Sequence, residues 1–179
     1  MVKASAPGKC ILFGEHAVVY GQPALACSIS QRMTIELKVE KTFDTWRLDG
    51  RTFNPKKHPH IDYLRKQLPP IEEHPIHIRI RGSIPKASGL GSSAALSVAL
   101  CGALQQLRGA DLNPMQASEL SHRAEANAQG GRASPMDTAT SSFGGFVVLS
   151  DTIEGDLEYL GVRTMDVEGT TLQWHLHTF

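Results

Sequence analysis

From Met33 to Glu40 apolar and polar residues alternate, with Met33, Ile35, Leu37 and Val39 on one side and Thr34, Glu36, Lys38 and Glu40 on the other. A period of two is that of a strand buried on one face. Trp46 to Leu48 and Ile76 to Ile80 carry shorter versions of the signal, so an antiparallel or mixed sheet is predicted early in the chain. Arg79 and Arg81 alternate with Ile78 and Ile80, the mark of a strand's solvated face. Between Pro59 and the Pro69-Pro70 stop, His60 to Leu68 predicts a short helix. The period then changes. Ser92 to Leu107 holds Leu96, Val98, Ala99, Leu100, Ala103, Leu104 and Leu107, apolar almost all round, and predicts a central buried helix. Asn113-Pro114-Met115-Gln116 supplies an N-cap, a proline at the first helical position and a glutamine able to reach back to the cap. The helix it starts runs to about Gln129, where Gly130-Gly131 stops it; a loop holding Asp137 follows, then a strand from Phe146 to Leu149. Strands and helices in this order predict an α+β domain.

Three segments carry candidate chemistry. The first is Pro85, Lys86, Ala87, Ser88, Gly89, Leu90, Gly91, Ser92, Ser93, Ala94 and Ala95, a small-residue loop running straight into the apolar helix. A helix N-terminus presents four unpaired N–H groups and about half a positive charge, so such a loop cradles a phosphate without a basic side chain. Gly89 and Gly91 let backbone approach the anion, while Ser92 and Ser93 offer hydroxyls as caps or Mg²⁺ ligands. Neither a Gly-Lys-Ser/Thr ending nor GxGxxG spacing is present, so the site is neither a Walker A loop nor a dinucleotide fingerprint. An ordinary buried helix with a glycine-rich lead-in fits this loop equally well when it is taken alone. In the second segment, residues 6–24, Lys9, Glu15 and His16 interrupt an apolar stretch. Burying unpaired charge is costly, so these residues pair with one another or line a polar cavity. The third, residues 131–145, sets Asp137 among Gly, Ser and Thr as a candidate base.

Together the three segments resemble the GHMP kinases, over roughly residues 4–149. Residues 7–23 are similar to the family's first motif, in the Glu15-His16-Ala17-Val18-Val19-Tyr20-Gly21 version of its mevalonate kinase branch. Residues 85–95 resemble the second, ATP-binding motif, and Ser134-Pro135-Met136-Asp137-Thr138 with Gly144-Gly145 is similar to the archaeal type of that branch. The resemblance implies a two-layer N-terminal domain like domain 2 of ribosomal protein S5, ATP and Mg²⁺ as cofactors, and phosphorylation of the primary hydroxyl of mevalonate. It implies that residues 85–95 bind ATP, that Ser93 and Glu125 hold Mg²⁺, that Asp137 accepts the hydroxyl proton beside Lys9, and that Glu15 and His16 orient mevalonate. The family glutamate sits shortly before the aspartate, and Glu119 is the alternative to Glu125. Other readings keep the fold with another small alcohol, such as phosphomevalonate or a sugar, or make the chain a non-catalytic nucleotide- or metabolite-binding fragment. The family's third motif, a glycine-rich loop, has no counterpart after Gly145. Residues 1–150 are therefore expected to be the N-terminal domain and 151–179 a strand-rich start of a remainder, poorly active alone and prone to self-associate, with a homodimer allowed for.

Charge narrows the partners. The 18 basic and 18 acidic residues balance without a like-charge block, which argues against nucleic acid or an acidic membrane as partner. Ala94 to Leu104 is too short to span a bilayer, and the N-terminus has no signal-peptide pattern, so a cytoplasmic location is expected. Cys10, Cys27 and Cys101 are scattered, without zinc or disulfide spacing, and read as reduced packing residues. The eight histidines include no helical i, i+4 pair of the kind that binds transition metals.

Overall fold

The computed structural model describes residues 1–15, 22–70, 74–85, 87–111, 113–131 and 133–150, with the backbone of 162–165. His16 and Lys86 lie outside the described residues, as does most of the segment beyond residue 150.

The alternating segment is part of a longer strand. β1 (Val2–Phe13) and β2 (Ala24–Val39) pair antiparallel along most of their length, with register irregularities between Pro7 and Lys9 and between Ile11 and Phe13. β3 (Arg47–Leu48), β4 (Arg51–Thr52), β5 (Ile76–Gly82), β6 (Phe146–Leu149) and β7 (Val162–Met165) complete a sheet ordered β4-β3-β5-β2-β6-β7, with β1 along the other side of β2. The sheet is mixed because β3 and β5 run parallel. β7 pairs with β6 and so extends this same sheet.

The helices form the second layer. α2 (Ser92–Leu107) lies on β1 and β2, and α1 (Pro59–Gln67) and α3 (Pro114–Ala128) pack on α2 and on each other; the core gathers Ile35, Leu37, Ile76 and Ile78 of the sheet with Ile61, Leu64, Leu100 and Leu104 of the helices. Each of these eight side chains is wholly removed from water, a burial worth about 1.5–3 kcal/mol per aliphatic side chain. A smaller cluster packs Met136 and Ala139 of α4 (Pro135–Phe143) on Ala24, Ala26, Val147 and Leu149. It fixes α4 over the end of the sheet where β1, β2 and β6 meet.

Local signals explain most boundaries. Asn113 Oδ1 accepts the Gln116 N–H at 3.1 Å, the expected N-cap. The reciprocal half of a capping box is not made, because Gln116 Oε1 instead accepts from Gln105 Nε2 at 2.8 Å, pairing the nitrogen of an amide buried in α2. Ser92 and Ser93 do not cap α2: the N-cap is Gly91, in the left-handed region at φ 69° and without a side-chain bond, and both serines lie inside the first turn. Asp137 stands in the first turn of α4 and not in a loop, since Pro135 is well placed to start a helix there.

Candidate active site

The loop before α2 has an unusual backbone. Ala87, Gly89 and Gly91 take positive φ values of 56°, 73° and 69°, while the intervening Ser88 and Leu90 do not. Alternation of hand turns successive N–H groups toward one side, the concave nest that binds anions. The free N–H groups of the first turn of α2 continue that concavity, with no acidic residue in the turn to oppose a phosphate. Ser88 Oγ donates to the Pro85 carbonyl at 2.9 Å and holds the loop's start.

The cradle is tied to β1. Lys9 N–H donates to the Leu90 carbonyl at 3.0 Å. A Cβ on Gly8 would stand 2.7 Å from that same carbonyl, and one on Gly91 would stand 2.8 Å from Lys9 Cγ. Glycine at 8 and 91 is thus what allows strand and loop to meet, with the lysine stem lying under the helix start.

Lys9 is 5% exposed, and its ammonium lies 3.1 Å from Asp137 Oδ1. Asp137, beside which the resemblance set Lys9, supplies its counter-charge. Burial pushes the Asp137 carboxyl above the usual carboxylate range; Lys9 opposes that rise, and the charges of Glu125 and Glu15 add to it. Glu15 itself is exposed.

Glu125 comes from α3 and is 4% exposed. Ser93 Oγ donates to its Oε2 at 2.6 Å, Gln129 Nε2 to the same oxygen at 3.2 Å, and Ser97 Oγ to Oε1. Glu119, two turns earlier, points outward and pairs with Arg123. A buried carboxylate beside a helix-start hydroxyl is a hard-oxygen donor set, suited to Mg²⁺ when phosphate and water complete the shell. A cleft of about 350 Å³ joins these groups, lined by residues 87–94, Glu125, Gln129, Ala133, Ser134 and Asp137. A larger hollow of about 520 Å³ opens among β1, β2 and the far ends of α2, α3 and α4, and none of Lys9, Ser93, Glu125 or Asp137 lines it.

Two neighbours of Glu125 carried no signal in the sequence. Burial pushes His60 of α1 below the usual imidazole range, the Glu125 charge pulls it up, and His58 lowers it. His122 is pushed down by burial and then by Arg123, against the pull of Glu125, and its Nδ1 is buried without a hydrogen bond. Both imidazoles are held toward neutrality beside the carboxylate. Only the packing of α1 on α3 brings His60 there, so spacing along the chain did not reveal it.

Comparison with known proteins bears on the fold. Residues 57–145 match the family model described as GHMP kinases N terminal domain. The chain is 40% identical over 177 residues to a mevalonate kinase of Methanothermobacter thermautotrophicus, covering 94% of this chain and 58% of that protein. It is 36% identical over 189 residues to a mevalonate kinase of Thermococcus sibiricus, covering 93% and 56%. The structure superimposes on the Methanococcus jannaschii mevalonate kinase with a TM-score of 0.77 at 26% identity, over 93% of this chain and 56% of that one. The chain thus spans a little over half the length of the relatives it matches. No helix among the described residues is long and apolar enough to cross a membrane.

Proposed function

We propose, for a chain that belongs to the GHMP kinase family, that its cleft is the phosphate-binding and proton-accepting half of an ATP-dependent mevalonate kinase, which converts mevalonate to 5-phosphomevalonate. The observation that carries the reading is Asp137, ion-paired with the buried Lys9, lining a cleft that the anion nest also lines. Phosphoryl transfer needs in-line positioning and charge neutralisation more than covalent help. The nest and the start of α2 would bind the nucleotide phosphates by N–H groups alone.

Asp137 would take the proton of the substrate hydroxyl at its carboxylate. Its raised pKa makes it a stronger base than an exposed aspartate, while Lys9 keeps it ionised and stabilises charge developing on the acceptor oxygen. Ser93 and Glu125 would hold Mg²⁺, which would supply neutralisation of the nucleotide's phosphate charge. Glu15 and His16 would orient mevalonate. Residues 1–150 would form the ATP- and substrate-binding domain, with 151–179 opening the remainder.

The test is turnover of the complete gene product that contains these residues, with Mg²⁺-ATP and a panel of mevalonate, phosphomevalonate and sugars, read as ADP release and by phosphorus NMR. The expected result is 5-phosphomevalonate, with turnover in the usual range of about 1–100 per second. Phosphorylation of another alcohol in preference would overturn the substrate, and nucleotide binding without any turnover would overturn the enzyme.

A further inference from the structure

Cys10 and Cys27 are far apart in the sequence but directly opposite each other in the β1–β2 register. Facing residues of an antiparallel pair project from the same face, with Cα atoms about 4.5 or 5.5 Å apart according to the hydrogen-bonding class of the pair. Both separations fall inside the range of about 4.4–6.8 Å that a disulfide spans. Register irregularities flank the pair on both sides, between Pro7 and Lys9 and between Ile11 and Phe13, so the local backbone already departs from a regular ladder where adjustment would be needed. The two thiols differ in access. Cys10 is half-buried and its Sγ lies 3.7 Å from the Ile11 carbonyl oxygen, whereas Cys27 is 5% exposed. All three cysteines of the chain are free, and Cys101 is fully buried in the middle of α2.

We propose that Cys10 and Cys27 form a redox modification site, a facing dithiol that a low-molecular-weight disulfide converts to a cross-strand disulfide. The accessible Cys10 thiolate attacks one sulfur of the reagent, forming a mixed disulfide and releasing one thiol. The Cys27 thiolate then attacks Cys10 Sγ, which closes the Cys10–Cys27 bond and releases the second thiol. Two electrons and two protons leave the pair and appear in the two reduced thiols, so no further oxidant is required. Burial, and then the neighbouring Cys10 charge, push the Cys27 thiol up, which makes the second step slow near neutrality and faster at higher pH. The cross-link would fasten β1 to β2 next to Lys9, the residue whose ammonium faces Asp137.

Cys101 is an internal control, since burial pushes its thiol up to about 12. The native chain is incubated with oxidised glutathione, trapped in acid, alkylated, digested and mapped by mass spectrometry. The expected result is loss of two of the three thiols together, a peptide pair linked through Cys10 and Cys27, and Cys101 alkylated only after denaturation. Dithiothreitol restores all three. Replacing Cys27 by alanine stops the reaction at a glutathione adduct on Cys10. The wild-type map decides the matter without the variant: a lasting glutathione adduct on Cys10 with no cross-link, a link to Cys101, or no thiol loss would overturn the proposal.

Discussion

Replacing Lys9 by methionine isolates the charge at the centre of the site. Methionine keeps an unbranched stem of similar length under Gly91, so the close contact there survives while the ammonium is lost. At 3.1 Å the pair is worth about 1 kcal/mol if fully hydrated and about 5 kcal/mol at the effective dielectric typical of protein sites. With side-chain exposures of 7% for Lys9 and 29% for Asp137, the value belongs nearer the upper figure before desolvation of the ammonium is subtracted. Burial already raises Asp137, and Lys9 is the largest influence opposing that rise. Its removal therefore moves the Asp137 midpoint to still higher pH. Carbon-detected NMR titration of the Asp137 carboxyl in wild type and variant reads the shift directly. In the complete gene product the same change is expected to lower kcat by about a hundred- to a thousand-fold, the usual cost of one electrostatic group. An Asp137 midpoint that stays in place or falls would refute the reasoning, because it would mean that the ammonium does not act on this carboxylate.

Asp137→Asn is expected to abolish turnover in the complete gene product while leaving nucleotide affinity nearly unchanged; kcat within about tenfold of wild type would remove the residue from the base role. Glu125→Gln and Ser93→Ala are each expected to raise the Mg²⁺ concentration needed for half-maximal rate, and Glu119→Gln is expected to leave it unchanged. The opposite outcome would transfer the metal role to Glu119. Because His60 and His122 are depressed in the folded state, the stability they confer is complete above the ordinary midpoint of 6.5 and is lost as pH falls from there through their folded midpoints. Urea denaturation at pH 7.5 and 5.5 should show the loss, and His122→Gln should reduce it; a chain equally stable at both values would contradict the burial of these imidazoles.

Much of the helical layer was legible in the sequence. The apolar run from Ser92 to Leu107 coincides with α2 because a helix buried on all sides needs no polar face, and Asn113-Pro114 placed the start of α3 by local capping alone. Residues 146–149 and the alternation after Met33 likewise declared their strands. The first strand was not legible. Val2–Phe13 carries Pro7, Gly8 and a buried lysine, which break the period of two, and its course is set by pairing with β2 and by the meeting with the Leu90 carbonyl.

The motifs singled out the candidate residues but not the packing that holds each of them. The resemblance offered Glu125 with Glu119 as the alternative; the face of α3 that packs on α2 carries Glu125 to Ser93 and Ser97, while Glu119 pairs with Arg123. The resemblance had already set Lys9 beside Asp137, but nothing along the chain set His60 beside Glu125 or Cys10 opposite Cys27. Periodicity and capping are properties of neighbours along the chain, so the sequence by itself determined the elements. Ion pairs, shifted titrations and thiol pairs depend on distances between elements, and only sheet register and helix packing decided those.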